Sequence, residues 1–195
     1  MIASDLLLAA YASGWFPMAG RGNEISWYSP DPRGILPLDA FHVPARLRRI
    51  VKQQKYGIRI DTEFEQVIRA CAEAERGRDE DGTWINEEIV QSYCALHDLG
   101  YAHSVEAWAE QGLMGGLYGV SVGGAFFGES MFHRATDASK VALVALVERL
   151  RTRHFGLLDT QWVTGHLRQF GAIEIPRAEY MRVLDRSLRI ETSFC

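Results

Sequence analysis

Between Ala102 and Met131 three extended segments with alternating apolar residues follow one another almost without interruption: Ala102–Ala109, Leu113–Val122 and Ala125–Met131. Only Glu110-Gln111-Gly112 and Gly123-Gly124 part them. Separators this short close hairpins and leave no room for a crossover, so the stretch is predicted to be an antiparallel three-stranded meander. Helical patterns flank it. Asn86 is placed to cap a helix whose apolar face is Ile89, Tyr93 and Leu96 and which ends at Gly100. Asp137 is expected to cap a long helix reaching His154, followed by a strand over Gly156–Gln161, a short helix over Thr164–Phe170 and a last helix starting at Pro176.

The order helix, three antiparallel strands, helix, strand, helix describes an α+β fold with helices packed on a mixed sheet. It suits an acyltransferase of the GCN5-related type, among other folds. Upstream, Ser4 or Asp5 to Ser13 reads as a helix closed by Gly14, and Trp27–Gly34 is excluded from a helix interior by Pro30 and Pro32. Ala45–Gln54 is predicted helical after Pro44, with its arginines outward, and Gly57–Ile60 is a short strand. Thr62 and Glu65 have capping-box spacing ahead of a stripe of Phe64, Val67, Ile68 and Cys71. Glu75–Gly82 lacks any apolar residue and is expected to be an exposed loop.

The 195 residues, 47% of them hydrophobic, can bury a substantial core, which excludes disorder and collagen-like architecture. The apolar run Leu6–Tyr11 is far short of the roughly 20 residues of a membrane span, and Asp5 stands where a signal peptide carries positive charge. A cytoplasmic protein is expected. Cys71, Cys94 and Cys195 include no CxxC pair, and His133, His154 and His166 lack ligand spacing. Neither a disulfide framework nor a metal site is expected, and the cysteines read as two core thiols and a tail residue.

A net charge of −4 argues against coating of long nucleic acid, but the charge is uneven. Arg46, Arg48, Arg49, Lys52, Lys55 and Arg59 fall in a stretch without a carboxylate, and Arg134–Arg189 carries ten cations against six anions. Eighteen of the 21 basic residues are Arg, the side chain that pairs bidentately with phosphate. Solvated helix faces and phosphate-binding surfaces are both open readings of these runs.

Several residues are candidates for chemistry. Glycines in Gly115-Gly116-Leu117-Tyr118-Gly119 lack the Lys-Ser/Thr ending of a phosphate loop and are better explained by close backbone approach. Glu129 lies in an apolar strand, where a carboxylate is costly unless paired, for instance with Arg134, or put to use. Asp159 and Gln161, two residues apart near the end of a strand, are expected on one face, either as a satisfied polar pair or as a site in which the carboxylate orients the amide. Trp84 follows the acidic loop and stands next to a helix start, a fair stacking platform for a base.

Taken together, these motifs closely resemble the leucyl/phenylalanyl-tRNA-protein transferase family. The matching blocks include Gly14-Trp15-Phe16-Pro17-Met18, Trp27-Tyr28-Ser29-Pro30-Asp31-Pro32-Arg33, Gly82-Thr83-Trp84-Ile85, His103-Ser104-Val105-Glu106, Gly128-Glu129-Ser130-Met131-Phe132 and Leu158-Asp159-Thr160-Gln161. The resemblance implies an enzyme that moves Leu, Phe or Met from aminoacyl-tRNA to the α-amine of proteins beginning with Arg or Lys, marking them for degradation by the N-end rule. It implies a GCN5-related acetyltransferase-like domain over residues 61–195 behind a small, reduced N-terminal domain over residues 1–60, a monomer, and no metal or redox cofactor.

By position, the resemblance makes Gln161 the acceptor of a hydrogen bond from the attacking amine, with Asp159 orienting it, and Glu129 the group that draws in the cationic acceptor. The donor side chain is expected in an apolar pocket of Leu117, Phe126, Leu143, Leu146, Leu150 and Leu158. Trp84 is expected to stack on the terminal adenine of the tRNA, with Met18 where some relatives carry a second tryptophan. Two other readings are an acyl-CoA-dependent N-acetyltransferase and a non-catalytic adaptor for basic N-termini. Against the first, Met131–Ser139 contains no glycine to cradle a pyrophosphate.

Overall fold

Strand pairing follows the sequence through the meander and then departs from it. The structure, a computed structural model, describes residues 1–20, 22–76 and 83–195. The chain begins with α1 (Ser4–Ala12), β1 (Phe16–Ala19), β2 (Ile25–Tyr28), β3 (Arg33–Ile35), α2 (Ala45–Lys52) and β4 (Gly57–Ile60). Next come α3 (Phe64–Arg76), α4 (Glu87–Asp98) and the meander β5 (Ala102–Ala109), β6 (Gly112–Val122) and β7 (Ala125–His133). The last elements are α5 (Ala138–Thr152), β8 (Leu157–Gln161), α6 (Gly165–Arg168), β9 (Ile173–Ile175) and α7 (Arg177–Leu188).

Strands β1 and β2 form a separate antiparallel pair. The other seven make one sheet in the order β4-β5-β6-β7-β8-β3-β9, antiparallel throughout except for β7 beside β8. The fold is therefore α+β, with a mixed sheet flanked by helices. Residues before position 61 supply the small sheet, α1 and α2, and also β3 and β4 of the large sheet. Among the described residues, no helix is long and apolar enough to cross a membrane. The expected loop Glu75–Gly82 lies, from residue 77 onward, outside the described residues.

Alternation along the central strands sends successive side chains to two apolar layers. Phe127, Tyr118 and Val120 join Tyr11, Val67, Ile68 and Tyr93 on one face. Phe126 and Leu117 join Leu143, Leu146 and Val147 of α5 on the other. Gly115 allows α5 to start close against the sheet: a Cβ there would lie 2.7 Å from that of Ala138.

Asn86 caps α4 as expected, accepting from the Ile89 amide at 2.9 Å. Two other expected caps are engaged elsewhere. The Thr62 hydroxyl donates to Glu106 on β5, and Glu65 pairs with Arg69, so no capping box forms. Glu106 itself holds the entry to α3, accepting from the amides of Thr62 and Glu63 at 2.9 and 2.8 Å. Asp137 adopts a left-handed conformation (φ 67°) and makes no side-chain cap. Its carboxylate pairs with Arg46 and Lys140 at 2.8 and 3.1 Å instead. In both cases a charged partner from another element outcompetes a local amide.

Burial opposes ionisation of Glu106, but donors from Thr62, Trp108, Glu63 and Ser104 outweigh it and hold the carboxyl below the usual range. A carboxyl depressed in the folded state stabilises above its unfolded value, and that contribution is lost as pH falls through the folded one. Glu106→Gln, which turns a carboxamide NH2 toward donors, is expected to cost about 2 to 3 kcal/mol in urea unfolding at pH 7. The variant should also lose less stability than the parent on acidification below about pH 4.

Candidate active site

Strands β7 and β8 run side by side only from Ala125↔Leu157 to Phe127↔Asp159. Beyond that point a cavity of about 350 Å³ is lined by Glu129 and Met131 from one strand and by Thr160 and Gln161 from the other. Each strand is irregular at the site. On β7, Gly128 and Ser130 face consecutive residues of β6, which leaves Glu129 as the extra residue of a bulge. On β8, Thr160 is the extra residue opposite Gly34 and Ile35. Bulges turn a side chain out of regular alternation, which is how both segments present polar groups to one space.

Glu129 accepts from the Tyr11 hydroxyl at 2.8 Å, the Tyr93 hydroxyl at 3.5 Å and the Gln161 amide at 3.3 Å. Arg134 instead reaches the Leu113 carbonyl and lies over the Phe132 ring, so the alternative Glu129–Arg134 ion pair is absent. Burial pushes the Glu129 carboxyl up to about 8; the Tyr11 hydroxyl and Arg33 oppose this, and the charge of Asp159 adds to it. Both phenols are held above their usual range, Tyr11 and Tyr93 alike, by burial and by Glu129, and so remain donors.

Asp159 has a different setting from the one its spacing suggests. Its side chain is fully buried and does not line the cavity. It accepts a bidentate pair from Arg33 at 3.0 and 2.8 Å, the Tyr180 hydroxyl at 2.6 Å and the Gln161 main-chain amide at 2.8 Å. Gln161 has φ 57°, a left-handed conformation that breaks the alternation on which a shared face depends. Asp159 thus fixes the backbone of Gln161, while the Gln161 side chain reaches the cavity and Glu129.

The apolar wall of the cavity includes Leu117, Leu143, Leu146 and Leu158. Phe126 and Leu150 do not line it; they are wholly buried in the same apolar cluster behind it. Met18 and Trp84 also border the cavity, brought together by a main-chain bond from Ala19 to the Trp84 carbonyl at 3.0 Å. Thr160 contributes a buried hydroxyl that has no hydrogen-bond partner among the described residues.

The pattern of the sequence did not reveal Tyr11, Tyr93, Arg33, Tyr180 or Trp162. Trp162 is 43% exposed, lines the cavity and meets Phe16 edge-on at 5.3 Å. The signals were faint. Tyr11 and Tyr93 sit on ordinary apolar helix faces, and only the placement of Arg33 after two prolines set it apart.

A sequence model of the family described as "Leucyl/phenylalanyl-tRNA protein transferase" matches residues 35–185, and one described as the N-terminal domain of that family matches residues 2–31. The chain belongs to this family. One relative named leucyl/phenylalanyl-tRNA–protein transferase, from Paramagnetospirillum magneticum, is 59% identical over 181 residues, covering 92% of this chain and 86% of the relative. Another of that name from Akkermansia muciniphila is 51% identical, covering 96% of each chain. Among solved structures, L-PGS from Bacillus licheniformis is 15% identical, with 81% of this chain and 53% of that chain covered and a TM-score of 0.45. The ribosomal-protein-alanine N-acetyltransferase of Brucella melitensis is also 15% identical, with 65% and 90% covered and a TM-score of 0.39.

Two measurements check the geometry of this family member. A carboxyl ¹³C resonance assigned through Glu129→Gln should titrate near pH 8 in the free protein; a midpoint in the ordinary glutamate range contradicts the buried environment. Arg33→Leu strands a buried carboxylate and should cost about 3 to 5 kcal/mol in urea unfolding. Adding Asp159→Leu to it should recover part of that loss.

Proposed function

We propose that the protein transfers Leu, Phe or Met from aminoacyl-tRNA to the α-amine of proteins that begin with Arg or Lys. The observation that carries this reading is that one cavity is bordered both by Glu129 and Gln161 and by the apolar wall of Leu117, Leu143, Leu146 and Leu158. The donor side chain lies against the leucines, which accept apolar side chains of suitable shape and reject polar ones through desolvation. Phe126 and Leu150 support that wall from behind. Trp84 and Met18 hold the terminal adenine, one by its ring and the other by a thioether contact.

The reaction is aminolysis of an activated ester, so positioning supplies much of the acceleration, roughly 7 to 11 kcal/mol in well-aligned systems. The acceptor nitrogen, hydrogen-bonded to the Gln161 side-chain oxygen, attacks the ester carbonyl carbon. Before attack the ammonium gives one proton to Glu129; a C–N bond then forms, the C–O bond to the terminal ribose breaks, and a second proton moves from the attacking nitrogen to the ribose oxygen, which leaves as a hydroxyl. A buried carboxyl near 8 is matched to an α-amine of about 7.7 to 8.0, which makes that proton transfer nearly even. A neutral amide has no such basicity, so Gln161 positions the nitrogen and Asp159 positions Gln161.

Exposed Arg46, Arg48, Arg49, Lys52, Lys55 and Arg59 on and after α2 suit the phosphates of the tRNA body. Dependence on charged tRNA assigns the reaction to the cytoplasm, where the new N-terminal residue would mark the acceptor for degradation by the N-end rule.

Incubation of Phe-tRNA with a peptide that starts with Arg should add one Phe to its N-terminus, read by mass, whereas acetyl-CoA should add nothing. Gln161→Ala and Glu129→Gln should each slow transfer by about 100-fold or more with circular dichroism unchanged. Trp84→Ala should raise KM for the tRNA by roughly 5- to 100-fold, the equivalent of one lost stacking contact. Absence of transfer by the parent protein overturns the assignment, and acceptor binding without transfer favours the adaptor.

A further inference from the structure

Away from the cavity, at the β4–β5 edge of the large sheet, three residues far apart in sequence converge. Asp61 follows β4, His103 lies on β5 and Cys195 lies beyond α7. The Oδ2 atom of Asp61 stands 2.8 Å from His103 Nδ1 and accepts from the Cys195 thiol at 3.2 Å. Cys195 Sγ is 3.8 Å from the same His103 nitrogen. One ligand atom from each residue lies within 4.8 Å of the other two.

We propose that Asp61, His103 and Cys195 form a binding site for a zinc-like divalent cation, with water as the fourth ligand. Bonds of about 2.0 to 2.3 Å in a tetrahedral site put neighbouring ligand atoms roughly 3.3 to 3.6 Å apart. The two contacts of the sulfur already bracket that spacing. Only the histidine–aspartate contact has to open, by about half an ångström. No ligand-spacing motif announces the group, because its members come from a turn, a strand and a distant segment that meet only through folding.

The surroundings hold the ligands in place. Asp61 Oδ1 accepts from the Ser104 amide at 2.8 Å, which orients the carboxylate and leaves Oδ2 for the ion. His103 is almost fully buried and stacks on Phe194 with centroids 4.3 Å apart. Phe194 is tied down by the Arg149 side chain, which donates to its carbonyl at 2.6 Å, so the residue before Cys195 is fixed. Cys195 itself is exposed, which gives the ion a path of entry and room for water.

One carboxylate, one thiolate and one neutral imidazole match a dication, and the neighbouring Arg149 guanidinium, which favours the Cys195 thiolate, is itself bound to the Phe194 carbonyl. On binding, the thiol S–H bond breaks, its proton goes to solvent and a sulfur–metal bond forms. The Nδ1 proton of the imidazole is released to solvent and Nε2 takes one up, leaving that ring neutral. A thiolate–imidazole–carboxylate set favours zinc over magnesium or calcium, which prefer all-oxygen shells. The ion would join Cys195 to the sheet edge. Phe194 stacks on Phe126 at 5.1 Å, within the apolar cluster that backs the cavity, so the site would also stiffen that wall.

The test titrates the full chain with Co²⁺ as a spectroscopic probe, displaces it with Zn²⁺, and follows thermal unfolding with and without Zn²⁺. Expected are one equivalent bound, a thiolate-to-cobalt charge-transfer band, and a rise in Tm with Zn²⁺. Cys195→Ser should abolish the band and weaken Zn²⁺ binding by about ten-fold or more, Asp61→Asn should weaken binding similarly, and Cys94→Ser should change neither. Cys195 is exposed, so its substitution leaves the fold testable. No stoichiometric binding, binding that survives Cys195→Ser, or a band that disappears with Cys94→Ser each overturns the site.

Discussion

Arg33 stands in the interior with its guanidinium paired to Asp159 and its plane near two rings, those of Phe16 at 4.9 Å and Tyr180 at 4.6 Å. It also donates to the Gly14 carbonyl at 2.9 Å. These groups belong to β1, β3, β8, α7 and the turn after α1, so one side chain ties the N-terminal region to the strand that carries Gln161. An unpaired charge at such depth is far costlier than a buried pair is favourable, so the arrangement acts less as glue than as a constraint on which packing is allowed. With Asp159 immobilised from one side, its remaining acceptor capacity holds the Gln161 amide and, through it, an unusual backbone turn.

Glu129 is supported differently. Its partners are two phenols and an amide, all neutral, and the two phenols also hydrogen-bond to each other. Such a cage gives the carboxyl defined direction without stabilising its charge enough to offset burial. A group in that condition is ready to exchange a proton near neutral pH, whereas Asp159, enclosed by donors, serves to set geometry. The α1 helix, which supplies Tyr11, is thus part of the site's wall.

The meander, the Asn86 cap and the alternation of core residues were legible because each depends on neighbours in sequence. Features decided by distant partners were not. Thr62 and Asp137 have the residue types of caps, yet Glu106 in one case and Arg46 with Lys140 in the other claim their side chains. The hairpin of β1 and β2 and the three-residue strands β3 and β9 lie in segments where prolines hide extended structure behind a loop-like pattern. Glu129, Gln161, Leu117, Leu143, Leu146 and Leu158 meet at one cavity, while Phe126 and Leu150 stand behind its wall. The face of Asp159 does not follow from a two-residue spacing, since that inference assumes regular strand geometry and Gln161 departs from it.

The bulges at Glu129 and Thr160 carry a consequence for how such a protein can change over generations. Deletion of one residue at either bulge would restore regular alternation there and turn the neighbouring polar side chain out of the cavity, with little loss of sheet pairing. Strand length at these two points is therefore a stricter constraint than side-chain identity. The leucine wall is under no such limit, and its shape can be altered residue by residue without disturbing strand register.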